Sequence, residues 1–513
     1  MRAGFGVVGP GGDRRAGAGP FLSLLSYVRL SPVPDLSPRD YRLGLCAVLL
    51  LAALAGLWRL GTPPLWLDEA SSWYNVSGSW LHLWERAVQA EDSGGLLYSA
   101  LLKPWSAFAG TGEAALRVPG VVLWLGTIAV IARATRLAWG RDAALLAASA
   151  ALAHPSLLAA ARQARSYILL FLLAALALLA LAEQMAGRRR RGLWLLAAAS
   201  LAAAATHVMG VFIALGAATC QLLLGSRERA PALRAALAAA PALVFAAVWA
   251  ILIRGRVGRN LESFWIPGTL LTNYLAIGLL LVAPLAIACA WLLWRDPSTR
   301  SRAAVAGLAA FALPVALGPA ILSAFAAEGA HLVQLRYALA LAPLGAAAAG
   351  GALATLPRSL AATTAALAIA ASIGYGVGKQ VYAPVTRAGQ DVRGAAAFLA
   401  STVHPGDLAL IEPPNNWMPL AYYGVWTVPL EGQGGGWRVV TAEAKRGGQS
   451  AEGRGENDDR GKCGERREGK ETGGRTIWLV RFSRQTAAPP DLLQRATLAG
   501  RFGTLTILEV TPH

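Results

Sequence analysis

Two adjacent acids, Asp68 and Glu69, stand in the string Pro63-Pro64-Leu65-Trp66-Leu67-Asp68-Glu69-Ala70, immediately after a long apolar run. A carboxylate held where a membrane interface meets water suits general-base work, taking a proton from an acceptor hydroxyl or amine as that group attacks. A solvated acidic loop or the acidic first turn of a helix is the competing reading, although acids at a membrane boundary are often functional. Arginines are the second signal. Arg117, Arg162, Arg165, Arg254, Arg256, Arg259 and Arg336 all fall between apolar segments on the side that carries the two acids. Guanidinium forks match phosphate oxygens, and a lipid-linked phosphate sits at that depth. Some could instead snorkel or pair with Glu262 or Glu328, and that structural role is favoured for the three from 254 to 259. His207 falls in an expected turn, where a lone histidine is more often structural than a ligand or base. Trp66, Trp73, Trp80 and Trp84 read as an interfacial aromatic belt. Sequence leaves open whether some of them stack on a substrate ring. No phosphate-binding glycine loop, dinucleotide fingerprint or zinc spacing occurs, so nucleotide-driven chemistry has no support.

Elements long enough to cross a bilayer must position these groups. Of 513 residues, 55% are hydrophobic and only 15% charged. With a mean hydropathy of +0.46, the chain needs lipid as solvent. The net charge of +18 comes from short arginine clusters between apolar runs, without a basic stripe interleaved with aromatics, so nucleic acid is not the expected partner. Three of the four cysteines (Cys46, Cys220, Cys289) fall inside apolar runs and Cys463 stands alone, which supports neither a metal site nor a disulfide framework.

The arginine clusters set the topology. Arg133, Arg136 and Arg141; Arg188 to Arg191; Arg227, Arg229 and Arg234; Arg295, Arg300 and Arg302; and Arg358 all belong on the cytoplasmic side under the positive-inside rule. About eleven spans satisfy that demand, most of them near the ~20 residues that cross hydrocarbon, with the two halves of the hairpin over 193–224 shorter. They are expected near 42–60, 118–138, 143–161, 166–184, 193–206, 209–224, 235–253, 270–294, 303–325, 337–354 and 359–376. Leu96 to Ala109 is then a helix lying on the outer membrane surface, and the chain turns back near His207.

The expected fold class is an all-α polytopic membrane protein with a small C-terminal α/β extracytoplasmic domain. Residues 1–40 form a cytoplasmic N-terminal tail, expected to be disordered and without a cleaved signal peptide. Residues 41–376 form the transmembrane domain, with outer loop 61–117 carrying the acids. Residues 377–513 form the outer domain, with a helix over 392–401 and strands over 407–412, 476–482 and 504–510. Residues 432–474, rich in Gly, Arg, Glu and Lys, are expected to be a disordered insertion.

At these residues the chain resembles the GT-C superfamily of membrane glycosyltransferases, in particular family 39 and its bacterial relatives of the protein mannosyltransferase and lipid A aminoarabinose transferase type. Leu65-Trp66-Leu67-Asp68-Glu69-Ala70 is similar to that family's acidic motif, and Ala115-Leu116-Arg117-Val118-Pro119-Gly120 to its arginine-containing entry to the second span. Gln163-Ala164-Arg165-Ser166-Tyr167, Thr206-His207, Trp265-Ile266-Pro267 and Leu335-Arg336-Tyr337 follow in the family's order. Asp391-Val392-Arg393-Gly394-Ala395-Ala396 and Pro405-Gly406-Asp407 resemble the outer domain of these proteins. Two positions depart from the pattern: Ser93-Gly94-Gly95 stands where His-Pro-Pro is usual, and Gln163 where an acid is usual.

The resemblance implies an inverting transferase that moves a sugar from a polyprenyl-phosphate donor to a lipid, glycan or protein acceptor at the outer face of the cytoplasmic membrane. It implies Asp68 as general base, Glu69 as its support, and Arg117, Arg165 and Arg336 at the donor phosphate. Tyr98, Gln163, Tyr167, His207 and Tyr337 are expected substrate contacts. No cofactor or metal is required by this reading, and dependence on a divalent metal stays open. A transporter or flippase of lipid-linked saccharides is a rival reading, as is a noncatalytic glycan-assembly subunit. The first predicts charges near mid-span and an internal repeat, neither of which the sequence contains; the second rests on the two departures.

Overall fold

A computed structural model describes residues 35–88, 95–224, 231–262, 270–323, 333–382, 390–403, 407–412, 417–424, 429–434, 437–441, 477–482, 493–502 and 504–510. The first helix, α1 (Pro38–Leu57), starts where Ser37 caps it by accepting from Asp40 N at 3.1 Å, with Pro38 at the first helical position. Next come α2 (Leu67–Ser77), α3 (Trp80–Val88), α4 (Leu96–Ala109) and the long α5 (Glu113–Trp139). Pro155 disfavours helix at His154, so α6 (Arg141–Ala153) and α7 (Pro155–Ala161) meet at a bend of 66°.

The bundle continues through α8 (Tyr167–Met185), α9 (Arg189–Thr206), α10 (Gly210–Leu224), α11 (Pro231–Glu262) and α12 (Leu270–Ile277). A single π turn, Gly278–Val282, leads from α12 into α13 (Ala283–Arg295), where Pro284 has no N–H for regular helical pairing. After α14 (Thr299–Ser323) comes α15 (Leu335–Ala338), a 3₁₀ turn over Leu339–Leu341, α16 (Ala342–Leu353) and α17 (Arg358–Tyr382).

All eleven expected spans coincide with helices, yet fewer have the length and apolarity of a span. Among the described residues seven helices do, or eight if the bent pair α6–α7 counts as one. Helices α9, α10 and α15–α16 fall short because α9 opens on an arginine run and the others are brief. The chain is a mostly helical, multi-pass membrane protein. Its interior holds Trp124, Phe171 and Phe311 among the largest buried side chains, and fully buried Ala143, Ala147 and Ala151 let α6 lie close along α16. Small side chains at such contacts are how helices gain packing where lipid removes the hydrophobic drive.

The C-terminal part opens with α18 (Val392–Thr402), capped by Asp391, whose carboxylate accepts from Gly394 N at 2.8 Å. It contains β1 (Leu408–Glu412), α19 (Trp417–Tyr422), β2 (Pro429–Gly434), β3 (Trp437–Thr441), β4 (Ile477–Arg481), β5 (Ala496–Phe502) and β6 (Leu505–Val510). The strands form one mixed sheet in the order β2-β3-β1-β4-β6-β5, parallel only between β1 and β4. Val392, Ala396 and Leu399 of α18 pack on Ile411, Val480 and Ile507, and the same cluster takes in Ala70 of α2. The C-terminal domain therefore shares its core with the helix that carries Asp68. Strand β3 and the end of β2 lie inside the stretch expected to be a disordered insertion. Residues 435–436 and 442–474 of that stretch, and 1–34 of the expected tail, lie outside the described residues.

Candidate active site

Asp68 and Glu69 both occupy the first turn of α2, where carboxylates oppose the partial positive charge of a helix N-terminus. Consecutive helical residues point about 100° apart, so the two acids face different surroundings. Glu69 turns inward and is 1% exposed. It receives Arg117 in a fork, Nε to Oε1 at 2.7 Å and Nη2 to Oε2 at 2.6 Å, and Ala164 N donates to its Oε1 at 3.0 Å. Arg117 also donates to the carbonyls of Leu60 (2.9 Å), Pro63 (2.8 Å) and Pro64 (3.2 Å). Every N–H of this guanidinium thus has a partner in the protein, so in this arrangement it has none to offer a phosphate. Arg162 is similarly occupied, donating to the carbonyls of Ala55, Gly56 and Trp58 at the C-terminal end of α1.

Asp68 faces the other way, with 22% of its side chain exposed, and Arg336 Nη1 donates to its Oδ2 at 3.0 Å. Arg336 Nε, although buried, has no hydrogen-bond partner among the described residues. Arg165 Nη1 donates to the backbone carbonyl of Asp68 at 3.0 Å. The two guanidinium carbons lie 5.7 and 5.8 Å from the Tyr167 ring centre, and Arg336 lies 5.3 Å from that of Tyr337. Cation–π attraction holds such groups without consuming their N–H donors.

His207 completes an aromatic wall, its ring centre 5.5 Å from those of both Tyr167 and Tyr337. It takes extended backbone between α9 and α10, where Met209 N donates to its Nδ1 at 3.1 Å. That bond needs an unprotonated Nδ1, so a neutral ring carries its proton on Nε2. The fold therefore brings Asp68, Arg165, Arg336, Tyr167, His207 and Tyr337 together from four separate elements. Glu69 and Arg117 lie just behind them.

Gln163 and Tyr98 are both buried, at 9% and 2% exposure. Of the unusual Ser93-Gly94-Gly95, only Gly95 is among the described residues. It has φ +76°, and a Cβ there would lie 1.5 Å from the carbonyl oxygen of Thr206, so glycine is demanded twice over and ties the start of α4 to the His207 turn. Gly120, one turn beyond Arg117, likewise lets the Ala161 carbonyl approach to 2.5 Å of where a Cβ would stand. Trp265-Ile266-Pro267, Glu328 and the side chains of Arg254, Arg256, Arg259 and Glu262 lie outside the described residues. Of the four tryptophans expected to form a belt, Trp80 and Trp84 are exposed. Trp66 instead buries its Nε1, and Trp73 packs edge-on against Tyr422 at 5.3 Å.

A second cluster, assigned no role from the sequence, adjoins the first. Arg393 of α18 and the Tyr423 hydroxyl both donate to Glu113 Oε1, the latter at 3.2 Å. Burial pushes the Tyr423 phenol up to about 12, so at neutral pH it keeps the proton it donates. Arg393 lies in a string recognised for its resemblance, whereas nothing in the local pattern distinguishes Tyr423.

No protein-family model matches this sequence, and no curated protein does. Solved structures do match. The crystal structure of ArnT from Cupriavidus metallidurans in the apo state is similar over 93% of this chain and 99% of its own, at a TM-score of 0.57 and 15% identity. The structure of ArnT bound to undecaprenyl phosphate is similar over 93% and 100%, at a TM-score of 0.56 and 14% identity. At such identities the likeness is one of fold, and it runs through both the helical bundle and the C-terminal sheet domain.

Proposed function

From a fold shared along nearly its whole length with ArnT, we propose that the chain is an inverting GT-C glycosyltransferase. It moves a sugar from a polyprenyl-phosphate donor to an acceptor at the outer face of the cytoplasmic membrane. Asp68 takes the proton of an acceptor hydroxyl or amine as that atom attacks the anomeric carbon. The bond from that carbon to the phosphate oxygen breaks in the same displacement, and the lipid phosphate leaves with the bonding pair. Arg336 and Arg165 face the charge growing on the leaving group, the moment at which preorganised donors lower a barrier. Tyr167 and Tyr337 hold those guanidinium groups, and together with His207 they wall the sugar site. Arg117 and Glu69 position the acidic turn from behind.

One observation carries the reading: Asp68 and Arg336, 268 residues apart, meet at 3.0 Å on a partly open surface, with Arg165 hydrogen-bonded to the backbone of the same acidic turn. That ArnT has been solved with undecaprenyl phosphate supports a polyprenyl phosphate as carrier.

The test is sugar transfer in proteoliposomes, using a small panel of polyprenyl-phosphate sugars, with Asp68→Asn beside wild type. Loss of a general base lowers kcat by roughly 10²–10⁴-fold. Equal turnover in the two proteins removes the base assignment, and no transfer from any donor removes the enzyme reading.

A further inference from the structure

The loop from Leu60 to Leu65 joins α1 to the helix that presents Asp68, and two of its residues, Pro63 and Pro64, have no N–H with which to anchor it. Its carbonyls are anchored instead. Arg117 takes those of Leu60, Pro63 and Pro64 from within the bundle. Arg393 reaches the two between them, Gly61 and Thr62, at 3.4 Å each from the C-terminal domain. The next group along, Leu65 N, donates to the Tyr423 hydroxyl at 2.9 Å, and that hydroxyl donates onward to Glu113 at 3.2 Å. Glu113 stands one turn before Arg117 on α5, so the two anchors share a base.

We propose that Tyr423, with Arg393 beside it, is a positioning residue for Asp68, so that the docked C-terminal domain sets where the carboxylate stands. The inference rests on the glycosyl-transfer reading above. Leu65 is fully buried and is followed by Trp66, whose carbonyl accepts Ala70 N at 2.9 Å to open α2. A shift at Leu65 therefore passes directly into the turn that bears Asp68. Replacing the tyrosine hydroxyl by hydrogen leaves a buried N–H without its acceptor, and the loop relieves that by moving. Displacements of about 1 Å at reacting groups cost on the order of 10²-fold in rate.

The neighbouring tyrosine separates positioning from simple adhesion. Tyr422 also docks the domain, donating to the Thr111 carbonyl at 2.9 Å and packing on Trp73, but it makes no hydrogen bond to the loop that leads to Asp68. Adhesion alone makes the two hydroxyls equivalent; positioning makes them different.

The experiment compares full-length wild type, Tyr423→Phe and Tyr422→Phe in proteoliposomes with a polyprenyl-phosphate sugar donor, and follows backbone hydrogen exchange over residues 65–72 in all three. Tyr423→Phe is expected to lower kcat by about 10- to 100-fold while changing the donor KM less than about twofold, and to speed exchange in that segment. Tyr422→Phe is expected to leave both close to wild type. Wild-type kcat in Tyr423→Phe, or equal losses in the two variants, overturns the proposal. If wild type transfers no sugar, the functional reading fails separately, and the exchange comparison still decides: unchanged exchange over 65–72 in Tyr423→Phe overturns the positioning claim.

Discussion

Asp68 and Glu69 are sequence neighbours with opposite surroundings, and their partners are expected to respond oppositely to removal. Arg117 is buried, satisfies Glu69 and pins three carbonyls. Arg117→Ala strands a buried carboxylate and frees the loop, a loss of about 3–5 kcal/mol for breaking a buried pair from one side. Its signature is a lower thermal midpoint in detergent. Arg336 and Asp68 are 29% and 22% exposed, and such pairs contribute no more than about 1 kcal/mol. Arg336→Ala should therefore melt near wild type while its kcat falls about 10²–10³-fold through loss of a charge-stabilising donor. A large melting shift in Arg336→Ala with little change in kcat contradicts its placement at the leaving group.

Among elements, the turn between α9 and α10 and the entry to α4 form one unit, because Gly95 lies directly against the Thr206 carbonyl. Gly95→Ala forces both a left-handed backbone on alanine and a clash with a main-chain atom, and should destabilise by at least roughly 2 kcal/mol. Gly112→Ala is the matched control, since its Cβ meets nothing within 4 Å. Thermal melts of the two variants check this, and equal midpoints count against the claimed contact. The glycine at the end of Ser93-Gly94-Gly95, a string that departs from the resembled family's pattern, therefore has a structural reason in this chain. In the C-terminal domain, α18 carries a helical apolar pattern and β1, β4 and β6 short apolar runs, and all four were expected where they occur. The edge hairpin β2–β3 was not. It is held by backbone pairing of β3 with β1, a signal that side-chain composition does not carry.

For the whole molecule, the basic clusters among the described residues and the candidate site occupy opposite ends of the bundle. Arg188 and Arg133 meet Glu183, Arg300 donates to the Leu137 carbonyl, and Arg358 pairs with Asp142 at 3.0 Å, all around the far ends of α5 and α8. On α5 alone, Arg117 and Arg136 are separated by about 28 Å at 1.5 Å per residue, close to the thickness of a hydrocarbon core. The positive-inside rule predicts that the basic end lies in the cytoplasm, which would turn the site and the sheet domain outward. In a background lacking the native cysteines, Ser401→Cys should react with an impermeant thiol reagent on intact cells. Arg190→Cys should react only after permeabilisation, and the reverse pattern would invert the orientation.

What the sequence determined by itself is local and repetitive: apolar runs that need lipid, arginines that alternate with them, and a pair of acids just past the end of the first span. Composition and short-range periodicity carry those facts, because hydration and helical geometry act over a few residues. Tertiary structure decided which charges are available. Arg117 and Arg336 are equally arginine in the chain, yet one is fully consumed by Glu69 and three carbonyls while the other lies against Asp68 with its Nε unpaired among the described residues. The difference follows from partners up to 268 residues away in the chain, and the grip of Tyr423 on Leu65 reaches across 358. A hydrogen bond depends on distance and direction in space, and only the packed bundle with its docked sheet domain supplies those.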